Sequence, residues 1–222
     1  SLHDALPIYL TGAGTKSIPH GLSGFVDAGW MIISKRYDGG TSDWWVQHVS
    51  IADGSNVLKL NEYDDKTDIS SDGSITNPTD TLFYGNWNSG LAGSTNNVGY
   101  LWKDVPGVQK FGSYTGNSSA DGPYVELGFR PAILLIKRSA SSNANWYIMN
   151  TQTQTYNPVT KALEPNTADS QNTSVVNYDF TSTGFKILGT DGDINASSVV
   201  YIYAAWAYQP EHNLYGGQSN AR

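Results

Sequence analysis

Glu62-Tyr63-Asp64-Asp65, with Asp68 close behind, is the densest group of acids in this sequence and the first place to look for acid–base chemistry. Glycoside hydrolysis needs a protonated acid and a partner carboxylate roughly 5 to 10 Å apart. This stretch lies in a polar segment between apolar ones, where adjacent carboxylates stay solvated and ionised. The second half of the chain has Thr167-Ala168-Asp169-Ser170 at the comparable place, so catalysis is not expected here. Asp191-Gly192-Asp193-Ile194-Asn195 sets oxygen ligands at alternate positions, as a hard cation would want. It lacks the Glu that completes a calcium loop of the helical-hand kind, and it reads as a turn. No Gly-x-Ser-x-Gly elbow occurs, and His3, His20, His48 and His212 are too scattered for metal-ligand spacing. The expectation is a non-enzymatic protein with no catalytic residue, no cofactor and no metal.

Aromatic side chains offer a different chemistry, because a flat ring stacks on a sugar face as readily as it fills a core. The chain has seven Trp and fourteen Tyr. Trp30, Trp102, Trp146 and Trp206 sit in or beside apolar runs and are expected in the core. Trp87 differs. It lies in Gly85-Asn86-Trp87-Asn88-Ser89-Gly90, a polar, glycine-flanked loop with no sequence neighbour to bury an indole against. Trp87, with the amides of Asn86 and Asn88 to bond hydroxyls, is the leading ligand-binding candidate. Tyr37 and Tyr156, on loops, are weaker candidates of the same kind.

Composition narrows the partners. The chain has 222 residues, 15% of them charged, and a net charge of -7. It contains no block of Lys or Arg, so duplex nucleic acid and anionic membrane, which need a concentrated positive field, are not expected partners. The longest apolar run, Ala132 to Ile136, is strand-sized and far short of the ~18 residues that span a bilayer. Cysteine is absent, which removes disulfides, thiol nucleophiles and thiolate metal sites.

The elements that must position these residues read as strands and turns throughout. Short runs rich in Val, Ile, Tyr and Trp alternate with Asp-Gly and other turn pairs. Two of the runs echo each other: Leu22 to Arg36 reads LSGFVDAGWMIISKR, and Leu127 to Arg138 reads LGFRPAILLIKR. Lys35 and Lys137 are 102 positions apart, and each Lys-Arg pair is followed at the same interval by a Trp, Trp44 or Trp146. Further on, Leu58-Lys59-Leu60-Asn61 matches Leu163-Glu164-Pro165-Asn166, and Trp102 to Pro106 lines up with Trp206 to Pro210. Landmarks in the same order indicate an internal duplication. The apolar runs are continuous, as suits a strand covered on both faces. Each leads through a long hairpin to its Trp, which sets a cation beside an indole, a contact of about 0.5 to 2 kcal/mol.

The fold class expected is all-β, with two tandem homologous antiparallel β-sandwich repeats of jelly-roll, concanavalin-like type, or alternatively one large sandwich formed by both repeats. The expected boundaries are 1-8 as a non-native leader set aside from the fold, 9-110 and 111-215 as the two repeats, and 216-222 as a tail.

The stretches FGSYTGNSSADGPYVELGFRPAILLIKR (111 to 138), NWYIMNTQTQTYN (145 to 157), FTSTGFKI (180 to 187) and YIYAAWA (201 to 207) resemble repeat domains in structural proteins of tailed phages, especially marine ones. The resemblance covers nearly everything after residue 8. It implies tandem β-sandwich units of concanavalin/laminin-G-like character in a tail-fibre or other virion appendage. The function it implies is binding to a host cell-surface glycan or protein, or fibre assembly, with other virion proteins as partners. It also implies a homo-oligomer, a trimer by family resemblance, located on the virion. A glycan-active hydrolase or a carbohydrate-binding module on the same sandwich is the alternative.

Overall fold

The computed structural model of the chain describes residues 5–10, 16–38, 41–51, 56–69, 77–85, 96–140 and 143–208. Among these the protein is all-β, every sheet is antiparallel, and helix is confined to two short turns. No helix among the described residues is long and apolar enough to cross a membrane. The chain divides into two compact units between Lys103 and Asp104, and each sheet draws its strands from one of them.

The first unit contains β1 (Ala5–Leu10), β2 (Lys16–Pro19), β3 (Trp30–Arg36), β4 (Trp45–His48), β5 (Asn56–Lys59), β6 (Thr67–Asp68), β7 (Leu82–Gly85) and β8 (Asn97–Lys103). Six of these strands form one sheet in the order β1-β8-β3-β4-β5-β6, while β2 and β7 pair separately. Side chains alternate across a strand. Trp30 and Ile32 of β3 therefore enter a core with Leu22, Phe25, Val57, Ile69, Phe83 and Leu101. Met31 and Ile33 point to the opposite face and are buried there too. That is why the run is continuously apolar.

The second unit contains β9 (Gln109–Thr115), β10 (Tyr124–Glu126), β11 (Pro131–Arg138), β12 (Trp146–Asn150), β13 (Tyr178–Phe180), β14 (Gly184–Ile187), the single helical turn α1 (Gly192–Asn195) and β15 (Val200–Ala207). A four-stranded sheet, β12-β11-β15-β9, and a three-stranded sheet, β10-β14-β13, enclose one core and make the unit β-sandwich-like. The larger sheet contributes Leu134, Ile136, Tyr147, Met149 and Tyr203, and the smaller one Val125, Tyr178, Phe180, Phe185 and Ile187. Leu135 and Lys137, on the other face of β11, are also buried.

Corresponding positions of the two units make corresponding bonds. Ile33 pairs with Val46 and Tyr100, and Leu135 with Ile148 and Ala204. Lys35 Nζ donates to the Ser42 carbonyl and Lys137 Nζ to the Ala144 carbonyl. The Trp44 amide donates to Asn61 Oδ1 at 2.7 Å, and the Trp146 amide to Asn166 Oδ1 at 2.9 Å. Asn61 Nδ2 then donates to Asp43 at 2.9 Å, as Asn166 Nδ2 does to Asn145 at 2.8 Å. Each hairpin is thus closed by an Asn at the end of the third strand segment.

Residues 5–8, set aside as leader, form with Tyr9 and Leu10 the strand β1, paired with β8 from Ala5↔Trp102 to Leu10↔Asn97. The two units divide between Lys103 and Asp104, and the Asp104 carboxylate accepts the Phe111 amide of β9 at 2.7 Å. One expectation, the burial of Trp102 and Trp206, is corrected. Trp102 and Trp206 are only half-buried and lie outside both core clusters. They follow Met31 and Ile133, their cross-strand partners, onto the face turned away from the core.

Candidate functional site

Of the five ligand-binding candidates, Asn86, Trp87 and Asn88 lie outside the described residues. Tyr37 directly follows β3 and is 54% exposed, and its amide donates to the Asn96 carbonyl at 3.1 Å. Tyr156 is 68% exposed, on the loop after β12. The two tyrosines belong to different units and occupy positions that do not correspond.

The acids are held by structure. After Asn61, Glu62, Asp64 and Asp65 are half-buried, and Asp68 takes its place in β6. In the 191–195 stretch, Asp191 caps α1 by accepting the Asp193 amide at 2.8 Å. Asp193 accepts the Tyr147 hydroxyl at 2.9 Å. Asn195 donates to the Ser119 and Gly189 carbonyls and accepts the Asn117 amide. These oxygens converge on protein donors rather than on a common centre. Burial, reinforced by the Asp193 carboxylate, pushes the Tyr147 hydroxyl well above the usual phenol range. Among the described residues no group of three or more acids and histidines is close enough to hold a metal ion.

Tyr156 is displayed by a loop that is bonded through itself. Asn150 Oδ1 accepts the amides of Gln152 and Thr153 at 3.0 and 2.9 Å, a turn made by a short side chain in place of backbone. The buried Gln154 donates from Nε2 to the Pro158 carbonyl at 2.6 Å and accepts the Thr160 amide at 3.0 Å. Asn157 exchanges two bonds of 3.0 Å with Phe180, which anchors the loop to β13. The Asn157–Pro158 peptide is cis. An exposed aromatic on so braced a support loses little freedom on binding a ligand.

At the base of the same loop a groove of about 330 Å³ opens among Ile133, Ile148, Asn150, Thr151, Gln152 and Tyr208. A β-bulge creates it. The register between β11 and β15 shifts between Pro131 and Ile133, as a bulged residue re-aims its neighbours. Ile133 is left 43% exposed beside Tyr208, which is 64% exposed. The Thr151 amide ties the loop back to the Ala132 carbonyl at 2.9 Å. Hydrocarbon floor, phenol and amides bind rings and hydroxyls; this lining offers no carboxylate to protonate a leaving group.

Sequence reasoning singled out Tyr156 and did not single out Tyr208, Ile133, Asn150 or Gln152, which line the groove. One signal was present. A Pro at the head of an apolar run, as at Pro131, marks a strand start or bulge, where the ladder is interrupted and a side chain is turned outward.

These features define a β-sandwich-like, all-β protein with a shallow surface groove in its second unit. The chain belongs to the family described as Domain of unknown function (DUF7483), whose model matches residues 8–210 and so takes in both units. No curated protein and no solved structure matches it.

Proposed function

We propose that the chain is a pair of tandem β-sandwich repeats of concanavalin-like type, and that it serves as a non-enzymatic recognition module of a tailed-phage virion appendage such as a tail fibre. Its partners are a host cell-surface glycan or protein and other virion proteins, and it works as a homo-oligomer, a trimer by resemblance. Each site binds weakly and several copies act together, since linking sites multiplies avidity by roughly 10² to 10⁴ without improving any one of them. The observation that carries the reading is the braced loop from Asn150 to Thr160, which joins the exposed Tyr156 to a groove of apolar and amide lining. The matching bonds of the two hairpins support the duplication.

The hydrolase reading is less well supported. Asp193 is engaged by a tyrosine and Asp43 by Lys59 and Asn61, whereas a catalytic acid needs a desolvated seat facing the substrate. The deciding experiment is a glycan array and a cell-adsorption assay with multivalent protein, comparing wild type with Tyr156→Ala and Tyr208→Ala. Retention that falls in both variants at unchanged melting temperature supports the site. Unchanged retention removes it, and release of reducing sugar by the wild type restores the hydrolase.

A further inference from the structure

In the first unit, a groove of about 470 Å³ is lined by Val26, Trp30, Val49, Asn77, Thr79 and Asp80. Its wall is a turn fixed from behind. The buried His20 bonds the Thr79 carbonyl through Nε2 at 3.0 Å, while its Nδ1 accepts the Leu22 amide at 3.1 Å. The His20 amide donates to the Thr81 carbonyl at 3.2 Å. The Thr79 hydroxyl accepts the Leu82 amide at 3.0 Å. Across the groove, the Val26 amide donates to Asp80 Oδ1 at 3.1 Å, which sets the carboxylate plane. Asp80 Oδ2 makes no hydrogen bond among the described residues. Val26 is 40% exposed and lies beside Trp30, whose ring stacks on Phe25 at 5.8 Å.

We infer that this groove is a second ligand site, for a neutral pyranose whose adjacent hydroxyls donate to Asp80 while its C–H face rests on Val26 and Val49. The lining carries a carboxylate and no Lys or Arg, so an anionic ligand is repelled. A small ammonium engages the carboxylate alone, a solvent-open contact worth about 0 to 1 kcal/mol, and leaves the apolar wall unused. A sugar ring engages the carboxylate through charge-assisted hydrogen bonds, each roughly twice as strong as a neutral one, and the apolar wall as well. The turn is already fixed, so little ordering opposes binding. This inference stands apart from the second-unit groove and does not depend on it.

The test is an amide-resolved NMR titration of the full chain with the methyl glycosides of glucose, mannose and galactose, with propylammonium as the competing probe. At least one glycoside should move the Val26 and Asp80 amides with a millimolar dissociation constant. Asp80→Asn should weaken that binding about tenfold or more, and Tyr208→Ala should leave it unchanged. If Asp80→Asn unfolds, Val26→Ser with retained melting temperature should weaken the same binding. The inference is overturned if no glycoside moves those amides, if Asp80→Asn or a folded Val26→Ser binds as wild type does, or if propylammonium binds as tightly as the best sugar.

Discussion

Asn166 grips Trp146: its side-chain oxygen accepts the Trp146 amide at 2.9 Å while its nitrogen donates to Asn145 at 2.8 Å. Removing the amide leaves a backbone donor without its partner in a half-buried setting. Asn166→Ala should cost about 1 to 3 kcal/mol, measured by urea denaturation. Asn61→Ala should cost a similar amount in the first unit, where Asn61 holds Trp44 at 2.7 Å. If neither midpoint moves, water replaces the clamp and it has no role in stability.

The two tryptophans at the corresponding hairpin position should differ in weight. Trp146 is 1% exposed, so Trp146→Ala leaves a cavity and should cost about 3 to 5 kcal/mol. Trp44 is 37% exposed and its ring lies 5.6 Å from Lys35 Nζ. Trp44→Ala should cost about 1 kcal/mol, most of it the lost cation contact. Equal losses in thermal melts would contradict the burial assigned to one of them.

Alkali should unfold the second unit through its tyrosines. Burial raises the ionisation of Tyr114, Tyr147, Tyr178 and Tyr201, and carries Tyr203 up to about 12, with Asp104 adding to that last shift. A phenol whose folded value lies above its unfolded value of about 10 holds its proton more tightly when folded. That stability is fully present below about pH 10 and is lost as the pH climbs through the folded values. The melting temperature should therefore be level between pH 7 and 9 and fall steeply above about 10. Phenolate absorbance reaching its full fourteen-tyrosine value by about pH 11.5 in protein that is still folded would refute this.

Two glycines separate space from backbone strain. A Cβ on Gly184 would lie 2.0 Å from the Val125 carbonyl oxygen, so Gly184→Ala must push β14 away from β10 and should cost about 1 to 3 kcal/mol or more. Gly128 has φ +82 and nothing within 4 Å of the added carbon. Gly128→Ala meets only the left-handed penalty, about 1 to 2 kcal/mol. Chemical denaturation of both variants checks the order.

Much of this fold was legible because hydrophobic runs and turn pairs act locally. The Lys-Arg runs and their following tryptophans could be matched by eye, and each landed on a central strand with the same partners. Even the short match of Asn61 with Asn166 held, since a side chain that must reach a fixed amide cannot drift along the strand. What escaped depends on distant chain. Residues 5–8 pair with β8 through backbone bonds to residues more than ninety positions away, which composition does not register. Trp102 and Trp206 were read as core because their neighbours are apolar, yet strand alternation turns them to the other face. The groove around Tyr208 needs a bulge, a loop and a strand end brought together, and no single segment records that. Tyr156 was singled out for a local reason, an aromatic in a polar loop.

At the end of each clamped hairpin the partners differ: Lys59 pairs with Asp43 at 3.2 Å, while Glu164 accepts from the neutral Asn145 at 2.9 Å. Chains with two similar halves are prone to misassembly, in which a segment of one half docks on the other. Were the Glu164 segment to settle beside β4, its carboxylate would face Asp43, and like charges directly opposite are repelled. Were β5 to settle beside β12, Lys59 would meet a neutral amide and lose its ion. Both errors are disfavoured relative to the correct docking, by about 1 kcal/mol for a partly exposed ion pair, so charge at this position favours each half pairing with its own hairpin.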